Sequence, residues 1–178
     1  MTITRTPSPP PHKPTSQIQI FDPPKHPALA PSYSQISTVP LSATTTLVTI
    51  AGQVGHDYNN PAGSIPTSFP EQIRLALRNI ETCLAAAGAT KRDIVSARQY
   101  VVRLSQLHAG DVRLREEIVA KWWGKDRAGL KPPPDTVVGV ESLAPTGGKR
   151  EYLFEMEVTA VVGREEEEKA DGKGKGRR

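Results

Sequence analysis

The segment KREYLFEMEVTAVV, residues 149–162, constrains this chain more than any other. Tyr152, Phe154, Met156, Val158, Ala160 and Val162 alternate with Leu153, Glu155, Glu157, Thr159 and Val161. Period-two alternation marks a β-strand with one face on a core. The second face carries two carboxylates at i and i+2, so both point the same way. On pattern alone they fit a solvated strand face or a carboxylate held at a cleft.

The rest of the chain supplies partners for such a strand. Residues 47–51, LVTIA, follow three threonines and read as a β-branched strand. Residues 57–68 are rich in Asn, Pro, Gly and Ser, hence a loop. Ser68 and Glu71 have the spacing of a capping box, with Pro70 in the first turn, where a missing N–H costs nothing. Ile73, Leu77, Ile80 and Leu84 then fall on one helical stripe, and Gly88 ends it. A strand is expected over 94–102. A second helix is expected over about 107–123, with Leu114, Ile118 and Trp122 as its apolar stripe and Gly124 at its end. The run Pro132, Pro133, Pro134 leads into a strand over 136–140 that is apolar on both faces and is therefore expected at the sheet centre. A loop at 145–148 precedes the last strand. This order predicts an α+β fold, a mixed β-sheet with two helices packed on one face.

Composition bounds the chain to one domain with two extensions. Ten of its 17 prolines lie in the first 40 residues, and residues 1–14 hold little apolar content. Residues 1–20 therefore read as a Pro-rich flexible extension, 21–162 as the folded domain, and 163–178 as a charged flexible tail. No apolar run approaches the ~18 residues of a membrane span. The net charge of +4 is modest. Arg98, Arg103, Arg113 and Arg115 are the only folded basic candidates, and Glu116 and Glu117 interrupt them, which argues against nucleic acid. Cys83, the single cysteine, sits in a helical apolar pattern as a buried thiol and suits a reducing compartment. The four histidines are scattered, with no zinc spacing, and no phosphate loop is present, so no metal or cofactor is expected. The expected location is the cytoplasm, with the mitochondrion second, because the early prolines would break a transit helix.

The sheet face away from the helices carries Glu155, Glu157 and Arg98 yet is apolar elsewhere. Such a face is often covered by another copy of the chain.

Five ordered segments resemble a known family. They are Pro31-Ser-Tyr33-Ser-Gln35, Ile50-Ala-Gly52-Gln53-Val54, Glu71-Gln72, Asp93-Ile-Val95 and Glu155-Met-Glu157-Val-Thr-Ala160-Val. Together they resemble the RidA/YjgF family of reactive-intermediate deaminases, the L-PSP endoribonuclease-like proteins, over residues 28–162. The resemblance implies a chorismate-mutase-like fold and a homotrimer with a small-molecule cleft at each subunit interface. It implies hydrolysis of imines and enamines, in which a family arginine clamps the substrate carboxylate and a glutamate handles water. By alignment the glutamate is Glu155, the cleft tyrosine Tyr33 and the strand glycine Gly52.

This chain departs from the family pattern at the clamp. Pro134 stands at the arginine position, Ala51 replaces a frequent serine, and Asp135 adds a carboxylate. Losing a buried charge-assisted contact costs ~2–5 kcal/mol of ligand interaction, so the usual 2-imino acids are not expected substrates. Arg98 is the candidate replacement cation for substrate binding, against a structural pairing with Glu155 or Glu157. A different, uncharged substrate and a non-catalytic trimer that binds a metabolite or protein remain alternatives. The ribonuclease activity attached to some relatives finds no histidine pair or basic groove here.

Overall fold

The structure is a computed structural model that describes residues 17–60, 64–124, 129–144 and 150–163. Residues 1–16 and 164–178 and the loop expected at 145–148 lie outside the described residues.

Strands β1 (Gln19–Phe21), β2 (Ile36–Pro40) and β3 (Thr45–Val54) precede helix α1 (Phe69–Ala86). Strand β4 (Ile94–Val102), helix α2 (Ala109–Gly124), β5 (Asp135–Val140) and β6 (Phe154–Gly163) follow. The six strands form one sheet in the order β1-β2-β3-β6-β4-β5. All neighbours are antiparallel except β4 and β5. The fold is therefore α+β, with a mixed sheet and both helices on one face. β1 begins at Gln19, within the segment read as an extension, and pairs with β2.

The alternation of β6 builds the core. Phe154, Met156, Val158 and Ala160 are buried beneath the helices, and the residues between them are only half-buried. They join one cluster with Ile73, Leu77, Ile80, Cys83 and Leu84 of α1 and Val119 and Trp123 of α2. Burial pushes the Cys83 thiol up to about 12, so it stays protonated as a core side chain.

Three expectations are corrected. β5 is an edge strand, not a central one. The β4–α2–β5 connection is a parallel crossover, and it delivers β5 to the outside of β4, with Val137 38% exposed. Second, the buried residues of α2 are Arg115, Val119 and Trp123, one position on from the expected stripe. Leu114, Ile118 and Trp122 instead line a groove against α1. Arg115 disguised the buried stripe: it is only 6% exposed, and its guanidinium donates to Gln99 Oε1 at 2.8 Å. Third, Ser68 caps α1 through its extended backbone alone, with no side-chain hydrogen bond. A reciprocal capping box occurs instead at Thr90 and Asp93, on the short 3-10 turn Lys91–Asp93.

Two buried amides of α1 fix the end of the sheet where β3 finishes. Asn79 donates to the carbonyls of Val54 and His56 at 3.0 and 2.9 Å. Gln72 donates to the carbonyls of Pro66 and Glu151 and accepts from Leu153 N–H.

Candidate functional site

At that end of the sheet a cleft of ≈ 580 Å³ opens between β3, β6 and the segment before β2. Its origin is an irregularity in β3. Ile50 pairs with Val158 but Gln53 pairs with Met156, so the strand gains one residue as a bulge around Ala51 and Gly52. The bulge is held from behind. Gln53 is buried, and its amide donates to the Ala51 carbonyl at 2.9 Å and to Gln35 Oε1 at 2.7 Å. Ala51 N–H donates to the Gln35 carbonyl at 2.9 Å. Both Gln53 amide hydrogens are thus committed, so its Oε1 accepts from His26 Nε2 at 2.8 Å. Burial lowers the pKa of His26, in keeping with a neutral ring.

The bulge brings the Gly52 backbone against Glu155. A Cβ at Gly52 would overlap the Glu155 carboxylate, so this position needs a residue with no side chain. Burial, reinforced by the neighbouring Glu157, holds the Glu155 carboxyl above its ordinary pKa. Tyr33 stands on the opposite wall, where its hydroxyl accepts from Leu29 N–H at 3.0 Å and keeps its own proton to donate.

Three further cleft residues escaped the sequence reading: His56, Tyr58 and Tyr152. His56 Nδ1 lies 2.9 Å from the Tyr152 hydroxyl. Tyr58 stacks on His26 at 3.5 Å, and its hydroxyl accepts from Gln35 Nε2 at 3.1 Å. Burial raises both phenols, Tyr152 up to about 12, so both are neutral donors at pH 7. The available signal was a histidine and a tyrosine in a loop directly after a glycine-bearing strand. Tyr152 follows the alternation of β6 but precedes its first paired residue, and it packs with Val54 and Ile65.

The structure brings Tyr33, Gly52 and Glu155 together and leaves Arg98 and Pro134 elsewhere. Arg98 lies on the open face of β4, 2.8 Å from Glu157, its register partner on β6. Pro134 precedes edge strand β5, and its carbonyl accepts from Ala97 N–H at 3.0 Å. Asp135 accepts a hydrogen bond from Gln99, which Arg115 supports from beneath. Among the described residues no lysine or arginine lines the cleft, whose basic side chain is His56. No group of three metal-binding side chains occurs there either, and no helix is long and apolar enough to cross a membrane.

Residues 24–162 match the family model for Endoribonuclease L-PSP. The chain belongs to this L-PSP family, also called RidA/YjgF. Solved relatives share its fold over 82% of the chain. E. coli TdcF with bound serine is 23% identical, with 82% of this chain and 99% of that one covered at a TM-score of 0.63. Yeast Mmf1 is 22% identical, with 82% and 99% covered and a TM-score of 0.63. Rv2704 from Mycobacterium tuberculosis, a YjgF/YER057c/UK114 family member, is 28% identical, with 82% and 100% covered and a TM-score of 0.55. No curated protein matches the chain.

Proposed function

We propose that this L-PSP family member is a cytoplasmic homotrimer that binds an uncharged imine, enamine or carbonyl compound in clefts at its subunit interfaces and hydrolyses it there through Glu155. The observation that carries this reading is a partly buried carboxyl set over Gly52 in a cleft whose described walls hold no lysine or arginine. An anionic substrate would meet Glu155 without a lysine or arginine from the same protomer, whereas a neutral one meets hydroxyl donors and apolar walls. Ionised Glu155 takes a proton from water as the oxygen adds to the C=N carbon. The same carboxyl returns that proton to nitrogen, giving a carbinolamine; it then carries the hydroxyl proton to nitrogen as the C–N bond breaks, and a carbonyl compound and a neutral amine leave. Support for the trimer comes from β4, where Val95 is 47% exposed and Arg98 pairs with Glu157 on the open sheet face. The TdcF relative, solved with bound serine, supports a ligand of small size.

The test compares an uncharged imine, N-benzylidenemethylamine, with 2-iminobutanoate formed in place by a dehydratase. Hydrolysis of the neutral imine should be accelerated and that of 2-iminobutanoate should not. Acceleration of 2-iminobutanoate equal to that by an arginine-bearing relative would refute the reading. Glu155→Gln should reduce turnover by about 10²–10⁴-fold. Its effect on stability has the opposite sign. A carboxyl whose folded pKa is raised contributes stability below its unfolded pKa, and that contribution is lost as pH rises through the folded value. At pH 7 the charge is thus a burden on the fold, and Glu155→Gln should melt at the same temperature or higher. A lower midpoint at pH 7 would show that the carboxylate is structural.

A further inference from the structure

The turn after β3 fixes one side chain of the cleft with unusual care. Val54, Gly55 and His56 form a three-residue turn in which His56 N–H donates to the Val54 carbonyl at 2.8 Å. Asn79 of α1 ties both ends through the carbonyls of Val54 and His56. Gly55 is pressed so closely on α1 that a Cβ there would overlap Gln72. The Cα of His56 therefore lies within about 7 Å of that of Val54, the register partner of Glu155. Both side chains line the same cleft, the imidazole half-buried and the carboxyl over Gly52.

The imidazole is held as firmly as its backbone. Its centre lies 4.7 Å from that of Tyr58, edge to face, and its Nδ1 lies 2.9 Å from the Tyr152 hydroxyl. Tyr152 is buried and is a neutral phenol at pH 7. Among the described residues its hydroxyl has His56 as its one hydrogen-bond partner. A buried O–H needs an acceptor, so the phenol donates to Nδ1 and the ring proton resides on Nε2.

We infer that His56 is a second catalytic residue of the cleft: its Nε2–H donates a hydrogen bond to the nitrogen of the C=N group, and Tyr152 is the positioning residue that keeps the proton on that atom. This role rests on hydrolysis of a neutral C=N compound through Glu155. As the water oxygen adds to carbon, the π electrons of the C=N bond move onto nitrogen, and a donor already in place stabilises that charge. His56 keeps its proton throughout. Every transferred proton passes through Glu155, so the carboxyl serves water and carbon while the imidazole serves nitrogen.

With N-benzylidenemethylamine and the full chain, His56→Leu should lower kcat about 10²–10³-fold with little change in KM, as expected for a contact that strengthens in the transition state. His56→Gln, which places an amide N–H near the position of Nε2, should recover part of the loss. Tyr152→Phe keeps the ring volume and should also lower kcat. Nitrogen-15 spectra of the histidine rings add a readout that a structural role would not move. The chain has four histidines, and the His56 signals are those lost in the His56 variants. They should show a bare Nδ1 and a protonated Nε2, and Tyr152→Phe should mix the two tautomers. A wild-type chain that does not accelerate the neutral imine would refute hydrolysis in the cleft and the role of His56 with it. Wild-type acceleration that Glu155→Gln removes and His56→Leu leaves unchanged would overturn the role of His56 alone. So would a wild-type ring with its proton on Nδ1. Should His56→Leu not fold, unchanged turnover in both His56→Gln and Tyr152→Phe would overturn it equally.

Discussion

Gly52→Val should abolish ligand binding and turnover in the cleft while leaving a folded protein. The new side chain would occupy the volume of the Glu155 carboxylate. The backbone cannot retreat, because Gln53 and Gln35 tie the bulge on both sides of Gly52. Glu155 cannot slide either, since its backbone lies in register with Val54 on one side and Tyr100 on the other. The softest response is rotation of the Glu155 side chain out of the cleft. A displacement of about 1 Å in a reacting group can cost on the order of 10²-fold in rate. Overpacking of this kind costs about 1–3 kcal/mol of stability. Thermal melts and binding isotherms of Gly52→Val, Glu155→Ala and the double variant would test the pairing. Non-additivity of about 0.5–3 kcal/mol in stability is expected for residues in contact. Strictly additive effects would mean that the two residues do not share one volume.

Phe154→Ala should produce the largest loss of stability of any single truncation in β6. Phe154 is 0% exposed and belongs to the cluster that joins the sheet to both helices. Removing a buried Phe side chain costs ~3–5 kcal/mol, the transfer term plus the cavity left behind. For a domain of this size that corresponds to a fall of roughly 6–20 °C in melting temperature. Phe154→Leu should recover much of it, because it refills part of the volume. A fall of less than about 1 kcal/mol for the alanine variant would show that the helix layer does not seal on this residue.

The elements with clean periodicity were legible in the sequence. Ile73, Leu77, Ile80 and Leu84 are all buried, as their spacing requires, and β4 spans the expected residues. What escaped was set by tertiary context. A polar residue such as Arg115 can be buried when Gln99 accepts a hydrogen bond from its guanidinium, and no helical pattern announces that. An apolar strand such as β5 can sit at an edge because a crossover, not its composition, decides its place. The cleft was legible only where the resemblance carried it, at Tyr33, Gly52 and Glu155. His56, Tyr58 and Tyr152 reach it through loop geometry and through contacts with His26 and Gln35 that no local pattern encodes. Pro134 and Arg98 lie apart from that cleft within one protomer.

The alternation of β6 has an evolutionary consequence. Its even-numbered residues from Phe154 to Ala160 answer to helix packing, and its odd-numbered residues answer to the open face and the cleft. Substitution can therefore drift on one set without disturbing the other, which lets ligand preference change on a fixed scaffold. Length has no such freedom. A one-residue insertion ahead of Phe154 would exchange the two sets at once, driving Glu155, Glu157 and Thr159 beneath the helices. In this strand point changes can be neutral, but an odd-length insertion or deletion would be lethal to the fold.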